Sequence, residues 1–269
     1  MAAPLVFGVL NVTSDSFSDG GKFLDTARAV DHALELVAAG ADVIDIGGES
    51  TRPGAERVDA TLEQKRVLPV IEKLIAQGVA ISLDTMRATT AQLGINLGVA
   101  YINDVSGGKA DSEMFCTVAA SKADYIAMHW RGHSNVMNSL SHYDNVSAEV
   151  LSELMQQVDL AQSQGIDAGR IVIDPGFGFA KESEHNWQLL REIEVFTKQP
   201  HRVLVGVSRK RFLAATVAEG SPVEARDMAT HAISVYAATK NAWAVRVHDV
   251  AGTVAALKVA AELIGDQHV

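Results

Sequence analysis

Residues 170–176 read Arg170-Ile171-Val172-Ile173-Asp174-Pro175-Gly176. Three β-branched apolar residues run unbroken into a carboxylate, and Pro-Gly then ends the run. An unbroken apolar run is what a parallel strand covered on both faces requires, and Pro-Gly does not continue a ladder. Read as a strand over Arg170–Pro175, the pattern recurs at Leu5–Asn11, Asp42–Gly47, Val79–Asp84, Ala100–Asp104, Asp124–His129, Arg202–Ser208 and Trp243–His248. Between these runs lie stretches with apolar residues at helical spacing. Thr26–Ala39 stops at Gly40, Leu62–Ala76 stops near Gly78, Ser147–Gln164 stops at Gly165, and Val250–Ile264 closes the chain. Eight strands alternating with helices predict an α/β fold of the (β/α)8 TIM-barrel type. No Pro/Ser-rich linker divides the chain, so residues 1–269 read as one domain. The alternative is an open doubly wound sheet, which carries a Gly-rich dinucleotide loop after its first strand. Here Asn11-Val12-Thr13-Ser14-Asp15 follows instead. The longest non-helical stretch, Arg131–Asn145, reads as a surface loop without an evident role.

The composition is that of an ordinary globular chain, with 269 residues, 48% hydrophobic and 21% charged. Net charge is -10 and no Lys/Arg run is present. That disfavours nucleic acid as a partner, because such binding rests on phosphate neutralisation. A local anion site remains compatible with it. The single cysteine, Cys116, excludes an intrachain disulfide and reads as a small hydrophobe on a helix. The apolar run from Pro4 to Leu10 has no basic leader before it, and no stretch is long and apolar enough to span a bilayer. A cytoplasmic protein with no membrane partner is the expectation.

In a parallel barrel the active site lies at the carboxyl ends of the strands. Every predicted strand here ends in a polar side chain: Asn11, Asp45 with Glu49, Asp84, Asn103 with Asp104, His129, Asp174, Ser208, and Arg246 with His248. Capping explains Asp104, Asp249 and Thr85. It does not explain a carboxylate at the end of Ile171-Val172-Ile173. A ring of polar ends around one mouth points to a small polar ligand. Arg246 and His248 are two apart on a strand and share a face, which makes an anion site. Lys210 adds a cation in Ser208-Arg209-Lys210-Arg211, for which a solvated helix start is the blander reading. Two Gly-containing segments, Asp15–Gly21 and Gly47–Gly54, mix hydroxyls with glycine. Loops of this type can close over a reactive intermediate and exclude water.

Five motifs together resemble the dihydropteroate synthase family over essentially the whole chain. They are Asn11–Gly21, Gly47–Gly54, Asp174-Pro175-Gly176-Phe177-Gly178-Phe179, Ser208-Arg209-Lys210 and Arg246-Val247-His248. His129-Trp130 and Lys181-Glu182 are similar to the actinobacterial branch. The resemblance implies the following roles. Asp174 binds the amino-pyrimidine edge of a pterin, Asn103 and Asp84 satisfy the rest of that edge, and Lys210 packs on the ring face. Met128, Phe179, Ser208 and Val247 lie along the substrate surface. Asn11 coordinates Mg²⁺, which meets the pyrophosphate of a pterin pyrophosphate. Arg246, His248 and Thr51 hold that pyrophosphate and face the leaving group. Phe17, Asp19 and Arg52 shape the pocket of the second substrate, para-aminobenzoate. Pyrophosphate leaves first, and the arylamine attacks the cationic methylene. A homodimer through outer helices of the C-terminal half is also implied. Two positions depart from many relatives: Ser14 stands where Pro is common, and Arg211 where Ser is common. The rival readings are a pterin-dependent methyltransferase on the same barrel and a non-catalytic pterin-binding paralogue. The first would lack the pyrophosphate residues.

Overall fold

The computed structural model describes residues 3–13, 22–49, 58–133 and 136–264. Its strands are β1 (Leu5–Asn11), β2 (Val43–Gly47), β3 (Ile81–Asp84), β4 (Tyr101–Asp104), β5 (Asp124–Met128), β6 (Ile171–Asp174), β7 (Arg202–Val205) and β8 (Ala244–Val247). They form one closed, all-parallel barrel in chain order. Closure is made where β1 pairs with β8, from Leu5↔Ala244 to Gly8↔Val247, which removes the open-sheet alternative. The helices are α1 (Lys22–Ala38), α2 (Ala60–Ile75), α3 (Ala88–Leu97), α4 (Met114–Ala119), α5 (Val146–Ser163), α6 (Ser183–Arg191), α7 (Glu194–Thr197), α8 (Asp227–Thr239) and α9 (Val250–Ile264).

Alternation along each strand sorts the side chains into two sets. Outward residues such as Val6, Ile44, Leu83, Ile173 and Val245 join the large core under the helices. Inward residues Phe7, Val43, Ile126, Val172, Leu204 and Ala244 make a separate inner layer. The amino end of the barrel is plugged by aromatic rings. Phe7 meets Tyr101 at 5.4 Å and Trp243 at 5.7 Å, both edge-on, each pair contributing about 0.5–1.5 kcal/mol beyond its buried area. With the floor sealed, a ligand can enter the barrel only from the carboxyl ends of the strands.

Several boundaries differ from the sequence reading. β7 stops at Val205 rather than Ser208, and its ladder to β6 has two pairs, Val172↔Arg202 and Ile173↔Val203. Beyond Ile173↔Val203, β7 is held only by its pairing with β8, Leu204↔Ala244 and Val205↔Val245, and Pro175, just past β6, offers no N–H for a further rung. Cys116 does lie on a helix, α4, but is exposed, with Sγ 3.3 Å from Gln164 Oε1. The stretch Arg131–Asn145 is not all loop. It holds a 3-10 turn, Met137–Leu140, whose Met137 is buried.

Candidate active site

At the carboxyl end of the barrel the inner layer changes from apolar to ionic. Asp45, Asn103, Asp174 and Arg246 stand above the apolar layer on β2, β4, β6 and β8, and the first three are buried. Asn103 Nδ2 donates to both oxygens of Asp45, at 3.3 and 3.2 Å. That contact orients the amide and leaves Asn103 Oδ1 buried with no protein donor. Asp174 Oδ1 accepts the Gly176 N–H at 2.8 Å, while Asp174 Oδ2 is buried without a hydrogen-bond partner. The Arg246 guanidinium lies between the acids, Nε 3.8 Å from Asp45 Oδ2 and Nη2 3.7 Å from Asp174 Oδ2. These distances are ion-pair contacts beyond hydrogen-bond length, and Nη1 has no partner. Gly206 makes this approach possible: a Cβ there would stand 3.2 Å from Arg246 Nη2.

Burial raises the Asp45 carboxyl above the usual range against the pull of Arg246. Asp84 is raised further, by burial and by Asp45 beside it. Arg246 is held charged: burial opposes the charge, but Asp45, Asp174 and Asp84 outweigh it. Burial pushes the Lys210 ammonium down to about 7, against Asp174 and with the help of Arg246. Lys210 is partly buried, donates to Phe177 O, and stands 4.7 Å from the centre of the Phe179 ring.

Apolar walls complete the mouth. Met86, Val105, Met128, Met137, Phe179 and Ala180 form a third cluster, separate from both barrel cores. On the β7–β8 side, Ser208 Oγ accepts the His248 N–H at 3.1 Å and lies 2.9 Å from His248 Nδ1. The two contacts fix the orientation of the imidazole ring against Ser208. Val247 is buried behind this pair in the outer core. Arg209, by contrast, is held in a paired contact with Asp227 at 2.8 and 2.7 Å, so of the three cations in the basic cluster Lys210 stands at the mouth, Arg209 is a structural anchor and Arg211 is exposed. Asn11 ends β1, where its neighbour across the ladder is Gly47.

The structure brings together Asn11, Asp84, Asn103, Met128, Asp174, Phe179, Ser208, Lys210, Arg246 and His248 at the strand ends and the turns just beyond them. It separates Arg246 from His248, however: Arg246 turns to the acids, and His248 to Ser208. Phe17, Asp19, Thr51 and Arg52 lie outside the described residues. Arg87 binds Glu49 (2.6 Å), buried Glu63 (2.9 Å) and the Val58 carbonyl, while Arg66 donates to Gly48 O at 2.8 Å. Glu49 is therefore an anchor rather than a mouth residue. Asp104 acts as the cap expected from sequence, accepting from Ser106 N (2.9 Å), Gly108 N (2.8 Å) and the Tyr125 hydroxyl (2.9 Å). The residue without an assigned role in the sequence reading is Asp45. It sits two after Val43, a residue of the inner layer, and hence on the inward face of β2.

The family model described as "Pterin binding enzyme" matches residues 7–248. The dihydropteroate synthase of Mycobacterium leprae is 47% identical over 264 residues, covering 96% of this chain and 93% of that one. The Xanthomonas albilineans dihydropteroate synthase solved with 4-aminobenzoic acid superimposes with a TM-score of 0.91 at 40% identity, covering 98% of this chain and 94% of that one. The same enzyme in complex with 7,8-dihydropteroate gives a TM-score of 0.88 at 37% identity, with the same coverage of 98% and 94%. The chain belongs to the pterin-binding enzyme family, within its dihydropteroate synthases.

Proposed function

We infer that this chain condenses 6-hydroxymethyl-7,8-dihydropterin pyrophosphate with para-aminobenzoate to give 7,8-dihydropteroate and pyrophosphate, a transferase step of folate biosynthesis. The observation that carries the reading is the set of buried, unpartnered polar atoms at the mouth: Asn103 Oδ1, Asp174 Oδ2 and Arg246 Nη1. Unpaired buried groups are costly unless a ligand completes them. An amino-pyrimidine edge does so, because it presents N–H donors to the two acceptors and acceptors to the cations. Lys210, beside the Phe179 ring, suits the flat face of the pterin.

In the reaction the methylene C–O bond breaks and its electron pair leaves with pyrophosphate. The arylamine lone pair then forms the C–N bond, and the extra proton passes to water. His248, held by Ser208, and the Arg246 cation stabilise the charge developing on the leaving group. Magnesium fits as an ion brought by the substrate. No group of three or more His, Cys, Asp or Glu that would hold a metal occurs among the described residues. Mg²⁺ retains waters and binds phosphate oxygens, so a single amide ligand such as Asn11 suffices from the protein. When bound, it adds positive charge beside the pyrophosphate.

Thr51 is assigned to pyrophosphate and Arg52 to aminobenzoate, next to each other in the chain. The second pocket should therefore be completed only when the first is filled. Equilibrium dialysis with labelled para-aminobenzoate should give weak retention by the free protein and strong retention with pyrophosphate and Mg²⁺ together. Equal retention with and without pyrophosphate would remove this ordering, and no retention in either state would favour the methyltransferase reading.

A homodimer is the second part of the proposal. The exposed apolar residues Met228 (81%), Val259 (59%) and Leu263 (81%) lie on α8 and α9, the outer helices of the C-terminal half. Exposed apolar side chains on these outer helices support an association surface there. Sedimentation should give twice the chain mass, and a monomer at micromolar concentration would contradict it. No helix among the described residues is long and apolar enough to cross a membrane. A cytoplasmic location accords with that and with a single cysteine.

A further inference from the structure

The stretch Arg131–Asn145 and the Lys181-Glu182 step after β6 play no part in the reaction as described above. The structure joins them behind the pterin wall. Lys181 is buried, and its Nζ meets His129 Nδ1 at 2.9 Å, Gly176 O at 3.0 Å and Phe179 O at 3.1 Å. The other imidazole nitrogen, Nε2, is 3.0 Å from Glu153 Oε2. Glu153 in turn accepts from Arg131 Nε at 3.1 Å and also from Nη2. Arg131 Nη1 donates to His142 O at 2.6 Å, and its guanidinium lies 3.8 Å from the centre of the Tyr143 ring. Tyr143 OH donates to Ala180 O at 2.9 Å, the residue beside Lys181. The contacts form a closed circuit.

Protonation in this circuit follows from the partners. Burial pushes Lys181 well below the usual lysine range, with Lys210 nearby adding to it. A neutral Lys181 would need the His129 hydrogen on Nδ1. That would set the bare Nε2 lone pair against the Glu153 carboxylate, which His129 and Arg131 hold ionised despite partial burial. An ammonium instead donates to all three acceptors, and His129 donates from Nε2. Burial and the Lys181 charge hold His129 at about 3, so the imidazole is neutral and passes one polarity from cation to anion.

We propose that Lys181 is a positioning residue for the pterin, acting through the Lys181–His129–Glu153–Arg131 circuit on the turn from Gly176 to Phe179. The Gly176 residue is gripped at both ends: its N–H binds Asp174 Oδ1 at 2.8 Å and its carbonyl accepts from Lys181. The turn needs that grip, since Gly176 (φ 69°), Gly178 (φ 76°) and Ala180 (φ 47°) are all left-handed, the last at a cost no glycine bears. Phe179, held by its carbonyl, carries the ring beside Lys210. One buried cation thus sets both the rotamer of the pterin carboxylate and the platform under the pterin-facing lysine. Arg131 with Ser141, His142 and Tyr143 acquires a role as the outer strut of that wall, reinforced by Ser141 Oγ donating to Glu182 Oε1 at 2.8 Å.

This inference rests on Asp174 as the pterin residue, and the test separates the two. Titration calorimetry with 6-hydroxymethylpterin is run on the wild-type chain, on Lys181→Met and on Glu153→Gln. Para-aminobenzoate binding is measured on the same proteins with pyrophosphate and Mg²⁺ present. Lys181→Met should weaken the pterin by about tenfold, the scale of one lost charged hydrogen bond, and leave para-aminobenzoate within about twofold. Glu153→Gln, which keeps the shape and removes the charge, should act in the same direction by less, and it decides the matter if Lys181→Met does not fold. A second readout is the His129 ring by NMR. Lys181, Glu153, Arg131, Lys109 and the Tyr143 ring surround it. With Lys181 replaced by Met, its pKa should rise, because Glu153 remains and the nearest cation is gone. A wild-type chain that does not bind the pterin overturns the reading of Asp174. A wild-type chain that binds it while both variants bind equally well overturns the positioning role. Equal weakening of both ligands with a lowered Tm also overturns it, since that is a general loss of structure.

Discussion

Asp174→Asn is expected to weaken 6-hydroxymethylpterin binding by about 2–4 kcal/mol. The substitution is informative because one half of the side chain is unaffected. Oδ1 continues to accept the Gly176 N–H, so the turn after β6 keeps its anchor. Only the position of Oδ2 changes, from a buried acceptor without a protein partner to an NH₂ donor. That donor meets the N–H groups of the pterin edge on one side and Arg246 Nη2, 3.7 Å from the present Oδ2, on the other. Donor then faces donor in a buried site where no water offsets the mismatch. Titration calorimetry measures the effect, and an unchanged dissociation constant would withdraw Asp174 from the pterin site.

Arg246→Ala is expected to lower kcat/KM by about 100–1000-fold, the range seen on losing one group that stabilises developing charge. It should also weaken the bare pterin, whereas His248→Ala should leave that affinity nearly intact. The difference comes from geometry that strand spacing alone does not reveal. Arg246 lies between Asp45 and Asp174, and its charge opposes the burial that raises Asp45 and Asp84. Without it, Asp45, Asp84 and Asp174 share a buried mouth with Lys210 as the neighbouring cation, and the lowering that Arg246 imposes on Lys210 is relieved. The acids must then take up protons or move apart. His248 is held instead by Ser208, on the side of the mouth formed by β7 and β8. If Arg246→Ala binds the bare pterin as well as the wild-type chain does, the guanidinium serves only the leaving group.

The barrel was legible because each strand is an apolar run ending in a polar residue, and period and punctuation agree at Ile171-Val172-Ile173-Asp174-Pro175-Gly176. The site was legible as a set of strand ends because the carboxyl face of such a barrel gathers them. What was hidden depends on directions that only packing sets. Arg246 and His248 share a face in sequence, yet Gly206 opens space for one side chain and Ser208 captures the other. Asp45 looked like one strand-end acid among several, and its role as the acceptor that orients Asn103 depends on a partner 58 residues away. The Lys181–His129–Glu153 contacts join residues from the end of β5, the turn after β6 and the middle of α5. No local pattern marks such a circuit. The β7 boundary differs for a simpler reason: Gly206-Val207-Ser208 continues the apolar run, but the ladder to β6 ends at Ile173↔Val203 and that to β8 at Val205↔Val245.

The most direct test of the account is turnover by the purified chain with 6-hydroxymethyl-7,8-dihydropterin pyrophosphate, para-aminobenzoate and Mg²⁺. The expected result is 7,8-dihydropteroate and pyrophosphate in equal amounts, with formation abolished by omitting either substrate. Pterin binding by calorimetry without any dihydropteroate formed would contradict it, and would leave this barrel as a pterin-binding protein that does not catalyse the condensation.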